Sequence, residues 1–357
     1  MVTMTRSAPL MRMSFLGRRS DSKSIPMLKY CLAIGAGIVI GRISRSVGSP
    51  VRVAWPQFPS SNDNGWHDIS VYYGDRNSIN EEGGSQSQLG QDNIISNLMS
   101  LYHHRISSSK KKKKKKKKKK DTIRNTATEA EVPDQLYFVD LAANDAISLS
   151  NTFKLEQMGW DGLCIEPNPV HWYRLSHRKC AVAGAFVGGK SDKQQVDVSL
   201  FEEHNPSGGI VGDEFDNKKD DELEIEKRFT VSITSLFQKF NVPQRIDYFS
   251  LDVEGAEELI MKDFLFDKYT VRFMTVERPI LELQKLLKDH DYHFVLQLAI
   301  WGETLWVHGS ILKEVSLKDL KKNALETMGK SGDVEWPPLY WKEQRKAFDI
   351  ETGEGWQ

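Results

Sequence analysis

From Leu136 onward the chain alternates short apolar runs with amphipathic stretches. Tyr137–Leu141, Gly162–Glu166, Cys180–Val187, Asp197–Phe201, Phe229–Val231, Ile246–Asp252 and Val271–Glu277 have the length and residue types of strands. Leu149–Met158, Val170–His177, Ser232–Phe240, Ala256–Phe264 and Ile280–Asp289 carry apolar residues at helical spacing. Tyr292–Leu298 and Thr304–His308 predict a closing antiparallel pair. Strands that alternate with helices in this way predict an α/β fold built on a doubly wound, mostly parallel sheet. Residues 131–312 form that domain, and residues 313–357 are a C-terminal extension with helical stretches.

The first 130 residues read differently. Residues 1–52 carry seven Arg and two Lys against one acid, Asp21, and contain an apolar run over 27–41. Its uncharged part, Tyr30–Gly41, has twelve residues, whereas a spanning helix needs about 20. A snorkelling Lys29 lengthens it. Three readings stay open: a signal anchor with its basic N-terminus in the cytosol, a cleaved signal peptide, or an organelle transit peptide. The anchor reading makes a single-pass membrane protein of endomembrane or Golgi type; the transit reading points to a plastid or mitochondrion. Residues 53–130 are rich in Ser, Asn and Gly and read as a disordered linker. Eleven lysines at 110–120 fit such a solvated segment, with electrostatic binding to anionic lipid or nucleic acid as the alternative.

Overall charge adds little. The 357 residues hold 49 basic and 49 acidic side chains, so no global field points to nucleic acid. The three cysteines, Cys31, Cys164 and Cys180, lack CxxC or Cys/His spacing and read as small buried hydrophobes. His171, His177 and His204 show no pairing that suggests a metal or a dyad. Ser207–Gly212 reads as a mobile loop, and the acidic run after it as a solvated insertion.

Candidate chemistry sits at strand ends. The first strand runs into Asp140-Leu-Ala-Ala-Asn-Asp-Ala146, where a cofactor meeting the backbone needs small residues. Ala142, Ala143 and Ala146 meet that need less well than glycine. Glu166 ends the second strand, 26 residues after Asp140, where a carboxylate can accept from both ribose hydroxyls. Taken singly these are an Asx-capped turn and a solvated strand-end acid. Paired at this spacing they favour an adenosyl cofactor, and S-adenosylmethionine suits this turn better than a dinucleotide, whose diphosphate needs a glycine-rich one. Ile246–Asp252 ends in Asp252, Glu254 and Gly255. Asp252 or Glu254 can act as general base or bind a divalent ion through oxygen. Glu254 and Glu257 can instead favour the N-terminal dipole end of the next helix. Glu277, followed by Arg278, is a further base candidate or half of a strand-end ion pair.

Three segments carry a resemblance: Phe138-Val-Asp-Leu-Ala-Ala-Asn-Asp145, Gly159-Trp-Asp-Gly-Leu-Cys-Ile-Glu-Pro-Asn-Pro169 and Ile246-Asp-Tyr-Phe-Ser-Leu-Asp-Val-Glu-Gly-Ala-Glu257. Together they resemble the FkbM-type methyltransferases over about residues 136–308. The resemblance implies a class I, Rossmann-like fold with a seven-stranded sheet. It implies an S-adenosylmethionine-dependent enzyme that usually methylates oxygen, and matches Asp140, Asn144 and Glu166 to cofactor-binding positions. Asp252, Glu254 and Glu257 match its acidic motif. The family's turn resembles Asp-x-Gly-Ala-Asn-x-Gly, and this chain has Ala142 and Ala146 at the two glycines. Since Ala resists φ > 0, this departure predicts weakened cofactor binding.

The expected activity is methylation of a hydroxyl on a glycan, lipid or small molecule. The alternative is a degenerate methyltransferase fold kept as a binding or scaffold module.

Overall fold

The structure, a computed structural model, describes residues 69–71, 85–118, 135–189, 194–200, 208–213, 215–218, 225–330 and 347–355. The segment expected to target the chain, 1–52 with its apolar run 27–41, lies outside the described residues. So do Cys31, Lys119, Lys120, His204 and Ser207.

In chain order the described strands are β1 (Ile69–Val71), β2 (Tyr137–Leu141), β3 (Asp161–Ile165), β4 (Ala181–Gly184), β5 (Phe186–Gly188) and β6 (Gln195–Ser199). They continue with β7 (Gly209–Ile210), β8 (Glu226–Ser232), β9 (Arg245–Leu251), β10 (Thr270–Glu277), β11 (Tyr292–Gln297) and β12 (Glu303–His308). The helices are α1 (Gln91–Lys118), α2 (Phe153–Gln157), α3 (Pro169–Leu175), α4 (Ile233–Lys239), α5 (Glu257–Met261), α6 (Leu281–Asp289), α7 (Gly309–Leu312) and α8 (Leu317–Lys330).

Eight strands form one sheet in the order β1-β4-β3-β2-β9-β10-β12-β11. Strands β4, β3, β2, β9 and β10 are parallel, and the β12–β11 pair closes the sheet antiparallel. The seven expected strands are present. The eighth, β1, lies antiparallel along β4 and comes from the stretch read as linker. The chain moves outward from β2 through β3 and β4, then crosses back to β9 and β10. Strand order therefore reverses between β2 and β9, and the carboxyl ends at such a switch point are where open α/β sheets bind ligands.

Both faces of this sheet are covered, which explains why its strands are apolar throughout. On one face Val139, Leu163, Phe249, Leu251 and Met274 pack with Leu236 and Phe237 of α4 and Leu283 of α6. On the other, Phe138, Cys164, Tyr248 and Phe273 pack with Ile94, Ile95 and Leu98 of α1 and Leu320 of α8.

That second core takes the start of α1 out of the stretch 53–130 that composition reads as linker. Ile94, Ile95, Leu98, Met99 and Tyr102 recur at helical spacing and are all buried. Asp92 anchors the start of the helix by accepting from Asn93 N at 2.6 Å and Ser87 Oγ at 3.0 Å. The pattern is short, and the lysines that follow mask it in any longer window.

A second sheet, β5-β8-β6-β7, is built from residues 186–232. The run read as one strand over Cys180–Val187 divides at Ala185: β4 stays in the large sheet and β5 pairs with β8. The supposed mobile loop at 207–212 contains β7, paired antiparallel with β6, with Ile210 buried. Cys164 and Cys180 also depart from expectation. They are joined as a disulfide, with Cα atoms 6.2 Å apart, because β3 and β4 run side by side. Gly302 lies in the β11–β12 connection, whose carbonyl receives Arg278 N at 3.0 Å.

Candidate active site

The turn after β2 holds the first group of candidates. Asp140 is buried; its Oδ2 accepts from Thr152 Oγ1 at 2.5 Å, and Ser250 also hydrogen-bonds its carboxyl. Burial pushes the Asp140 carboxyl up, the Thr152 and Ser250 bonds and the Arg178 charge draw it down, and the Asp252 charge raises it again. Ala142 takes φ +63° and Asn144 φ +52°, so the chain keeps a left-handed turn without glycine. Ala146 takes no positive φ and is fully buried, so the expected penalty falls on Ala142 alone.

Glu166 locks this turn to the next strand end. Its Oε2 accepts from Asn144 N and its Oε1 from Asn168 N, each at 2.7 Å. Burial pushes its carboxyl up to about 7; the two N–H bonds oppose the rise and the Asp140 charge adds to it. Each oxygen retains a second lone-pair direction for a ligand hydroxyl.

The turn after β9 holds the second group. Glu254 takes φ +54° and Gly255 φ +93°. A Cβ on Gly255 would come within 2.8 Å of Asp216 N, so glycine is required by conformation and by space. Glu257 Oε1 accepts from Val253 N at 2.9 Å and Gly255 N at 3.4 Å, which ties the turn to α5. Asp252 follows directly on β9 and shares a hydrogen bond with Glu277 at the end of β10. Burial raises both carboxyls. Glu277 rises furthest, because the Asp252, Glu254 and Glu257 charges add to its desolvation. A hydrogen bond between two carboxyls needs one proton, so the Asp252–Glu277 pair holds one between them.

Arg278 gathers the acids of the second turn. Arg278 Nη2 contacts Glu277 Oε2 at 2.8 Å, Glu254 Oε2 at 3.2 Å and, more closely still, Asp216 Oδ2. Oxygens of these three carboxylates lie within 4.8 Å of one another, a spacing a metal ion could use. In this structure the guanidinium supplies the positive charge among them.

Residues 140–299 match the family model of the methyltransferase FkbM domain. The chain carries an FkbM methyltransferase domain. The matched stretch begins at Asp140 and takes in both strand-end turns. No curated protein and no solved structure matches the chain.

Within the FkbM domain the fold brings the predicted residues into one electrostatic chain. Glu166 feels Asp140, Asp140 feels Asp252, and Asp252 contacts Glu277. Glu254 joins them through Arg278 and is pushed up to about 7, chiefly by burial and then by the Asp252 charge. Asp216 and Glu303 escaped the sequence reading. Asp216 sat in an acidic run that resembled a solvated insertion, and Glu303 is buried beside the cluster with its carboxyl pushed up to about 8 by burial and by Asp252. Only the second sheet and the β11–β12 connection bring them there.

Proposed function

We propose that this methyltransferase uses S-adenosylmethionine and methylates a hydroxyl group on a glycan, lipid or small molecule. The reading rests above all on the arrangement at the β2/β9 reversal: Asp140 and Glu166 hold one turn, and the hydrogen-bonded Asp252–Glu277 pair lies at the other. A group of carboxyls at these strand ends suits a sulfonium cation. The left-handed backbone at Ala142 and Asn144, in the turn where small residues let a cofactor approach, supports the reading.

When bound, S-adenosylmethionine supplies an electrophilic methyl group. Glu166 would hold the ribose hydroxyls, and Asp140 and Asn144 the turn against the cofactor. Asp252 takes the proton from the acceptor hydroxyl, its basicity raised by desolvation. Glu277 orients Asp252 through their shared hydrogen bond, while Arg278 fixes Glu277 and Glu254. Arg278 also offers the positive charge a divalent ion would otherwise bring, so metal-free chemistry is the simpler form of this proposal.

The basic, partly apolar N-terminus supports attachment to an endomembrane with the domain in the lumen. The Cys164–Cys180 pair suits that oxidising compartment. Among the described residues no helix is long and apolar enough to cross a membrane.

Calorimetry on the full chain with S-adenosylhomocysteine tests the cofactor. One-site binding is expected; no binding would favour the scaffold reading, for which the strained Ala142 is the specific observation. Asp252→Asn should keep that binding and lower labelled methyl transfer to glycan or glycolipid acceptors by about 100-fold or more. Unchanged transfer would remove Asp252 from the chemistry.

A further inference from the structure

The family match ends at residue 299, yet a segment well beyond it, residues 347–355, packs beside Arg278. The segment is a turn bonded to itself: Asp349 N donates to Glu354 O at 2.8 Å and Gly353 N to Asp349 O at 2.7 Å. Phe348, at its start, is buried.

Two glutamines clamp this turn. Gln284 is buried in α6, and its Nε2 donates both to Pro279 O and to Ile350 O, each at 2.9 Å. Gln297, at the end of β11, donates in the same way to Ala299 O at 2.8 Å and to Phe348 O at 3.1 Å. An amide nitrogen carries two protons, so each glutamine ties the C-terminal segment to one of the loops that flank Arg278. Phe348 N adds a third tie, donating to Ile300 O at 2.7 Å.

Arg278 itself takes φ +41°, and a proline follows it. An arginine in left-handed backbone ahead of a proline is strained, and it keeps that shape only where its surroundings impose it. Its N–H donates to Gly302 O at 3.0 Å. A Cβ built on Gly302 would lie 2.7 Å from Arg278 Cγ and 2.7 Å from Phe348 Cγ. The arginine stem and the phenyl ring therefore close on the same bare α-carbon, and the ring limits where the stem can go. At the far end of that stem the guanidinium meets Asp216, Glu254 and Glu277.

We propose that Phe348, in the C-terminal segment, is a positioning residue that holds Arg278 against the carboxylates of Glu254 and Glu277. The inference rests on the reading above, in which Arg278 fixes those two acids. Without the ring, the stem gains the space beside Gly302, and its guanidinium can turn to water, where an ion pair is worth little.

The test asks whether Arg278 and Glu254 still act as a pair once the ring is gone. Denaturant midpoints of the full-length chain are compared for Arg278→Met, Glu254→Gln and the double variant, at one pH and one salt concentration. The two side chains touch at 3.2 Å, so their substitutions should be non-additive. The same cycle in a Phe348→Ala background should be additive. Equal non-additivity with and without the ring would overturn the proposal, since Phe348 would then only fill space. Additivity in the unaltered chain would overturn it too. If the alanine variant does not fold, Phe348→Leu takes its place: it should shrink the non-additivity, and leaving it intact would also overturn the assignment. S-adenosylhomocysteine belongs at the other turn, so Phe348→Ala should bind it as the unaltered chain does. Loss of that binding in the variant alone would show support of the whole fold rather than of Arg278, and would overturn the proposal. Failure of the unaltered chain to bind would instead reject the cofactor reading, and the role in that site with it.

Discussion

Ala142 shows how a single methyl group bears on the site. A left-handed alanine costs about 1–2 kcal/mol relative to an ordinary conformation. Ala142→Gly removes that strain and gives back about 0.4–1 kcal/mol through the looser unfolded chain. The net expectation is a gain of roughly 0.5–1 kcal/mol, read as a rise in the thermal midpoint, with tighter S-adenosylhomocysteine binding. A lower midpoint would show that the methyl group packs usefully. Ala146→Gly should do the opposite, because Ala146 is fully buried at ordinary φ and glycine only empties the space. Asp140, Glu166 and Asp252 were legible as strand-end acids. Asp216 was not, since nothing in an acidic run tells which carboxylate reaches an arginine 62 residues away.

At the scale of elements, α1 and the second sheet alter the reading most. Helix α1 begins in a stretch that composition assigns to a linker, yet Leu98 is completely buried against the main sheet. Leu98→Ala should cost about 2–5 kcal/mol in denaturant unfolding, as for other buried leucines. A cost near zero would return the segment to a linker. The helix is also tied to α8, where Asn97 Nδ2 donates to Thr327 Oγ1 at 3.0 Å. Those ties place the C-terminal helix, whose own pattern carried no decisive signal. The second sheet brings the chain around Asp216 onto the Glu254–Gly255 turn, where Asp216 N donates to Glu254 O at 3.1 Å. Short strands such as Gly209–Ile210 have no periodicity to betray them, so pairing with β6 alone defines them.

For the whole molecule, the concentration of buried acids sets a pH dependence. Burial raises Glu257 and Glu303 to about 8, and Glu166 and Glu254 to about 7, from an ordinary 4.5. A carboxyl raised in the folded state keeps its proton when the unfolded chain has lost it. Its contribution to stability is full below the unfolded value and is lost as pH rises through the folded one. The denaturant midpoint should therefore fall steadily from pH 5 to pH 8 at constant salt. Glu257→Gln, which retains the oxygen that accepts from Val253 N, should make that fall shallower. A midpoint that rises over the same range would show that these acids are ionised and paired in the folded chain.

The sequence alone determined most strands and helices from Tyr137 to His308, with β7 and the division of β4 from β5 excepted, because both periodicities are local properties of the chain. It also determined which acids end the strands, since an apolar run that stops at a carboxylate marks the end of a strand. Tertiary structure decided the rest: that Glu257 braces a turn, that Cys164 meets Cys180, and that Arg278 gathers Asp216, Glu254 and Glu277. These contacts join segments far apart in sequence, and their partners depend on strand order, which no local pattern encodes.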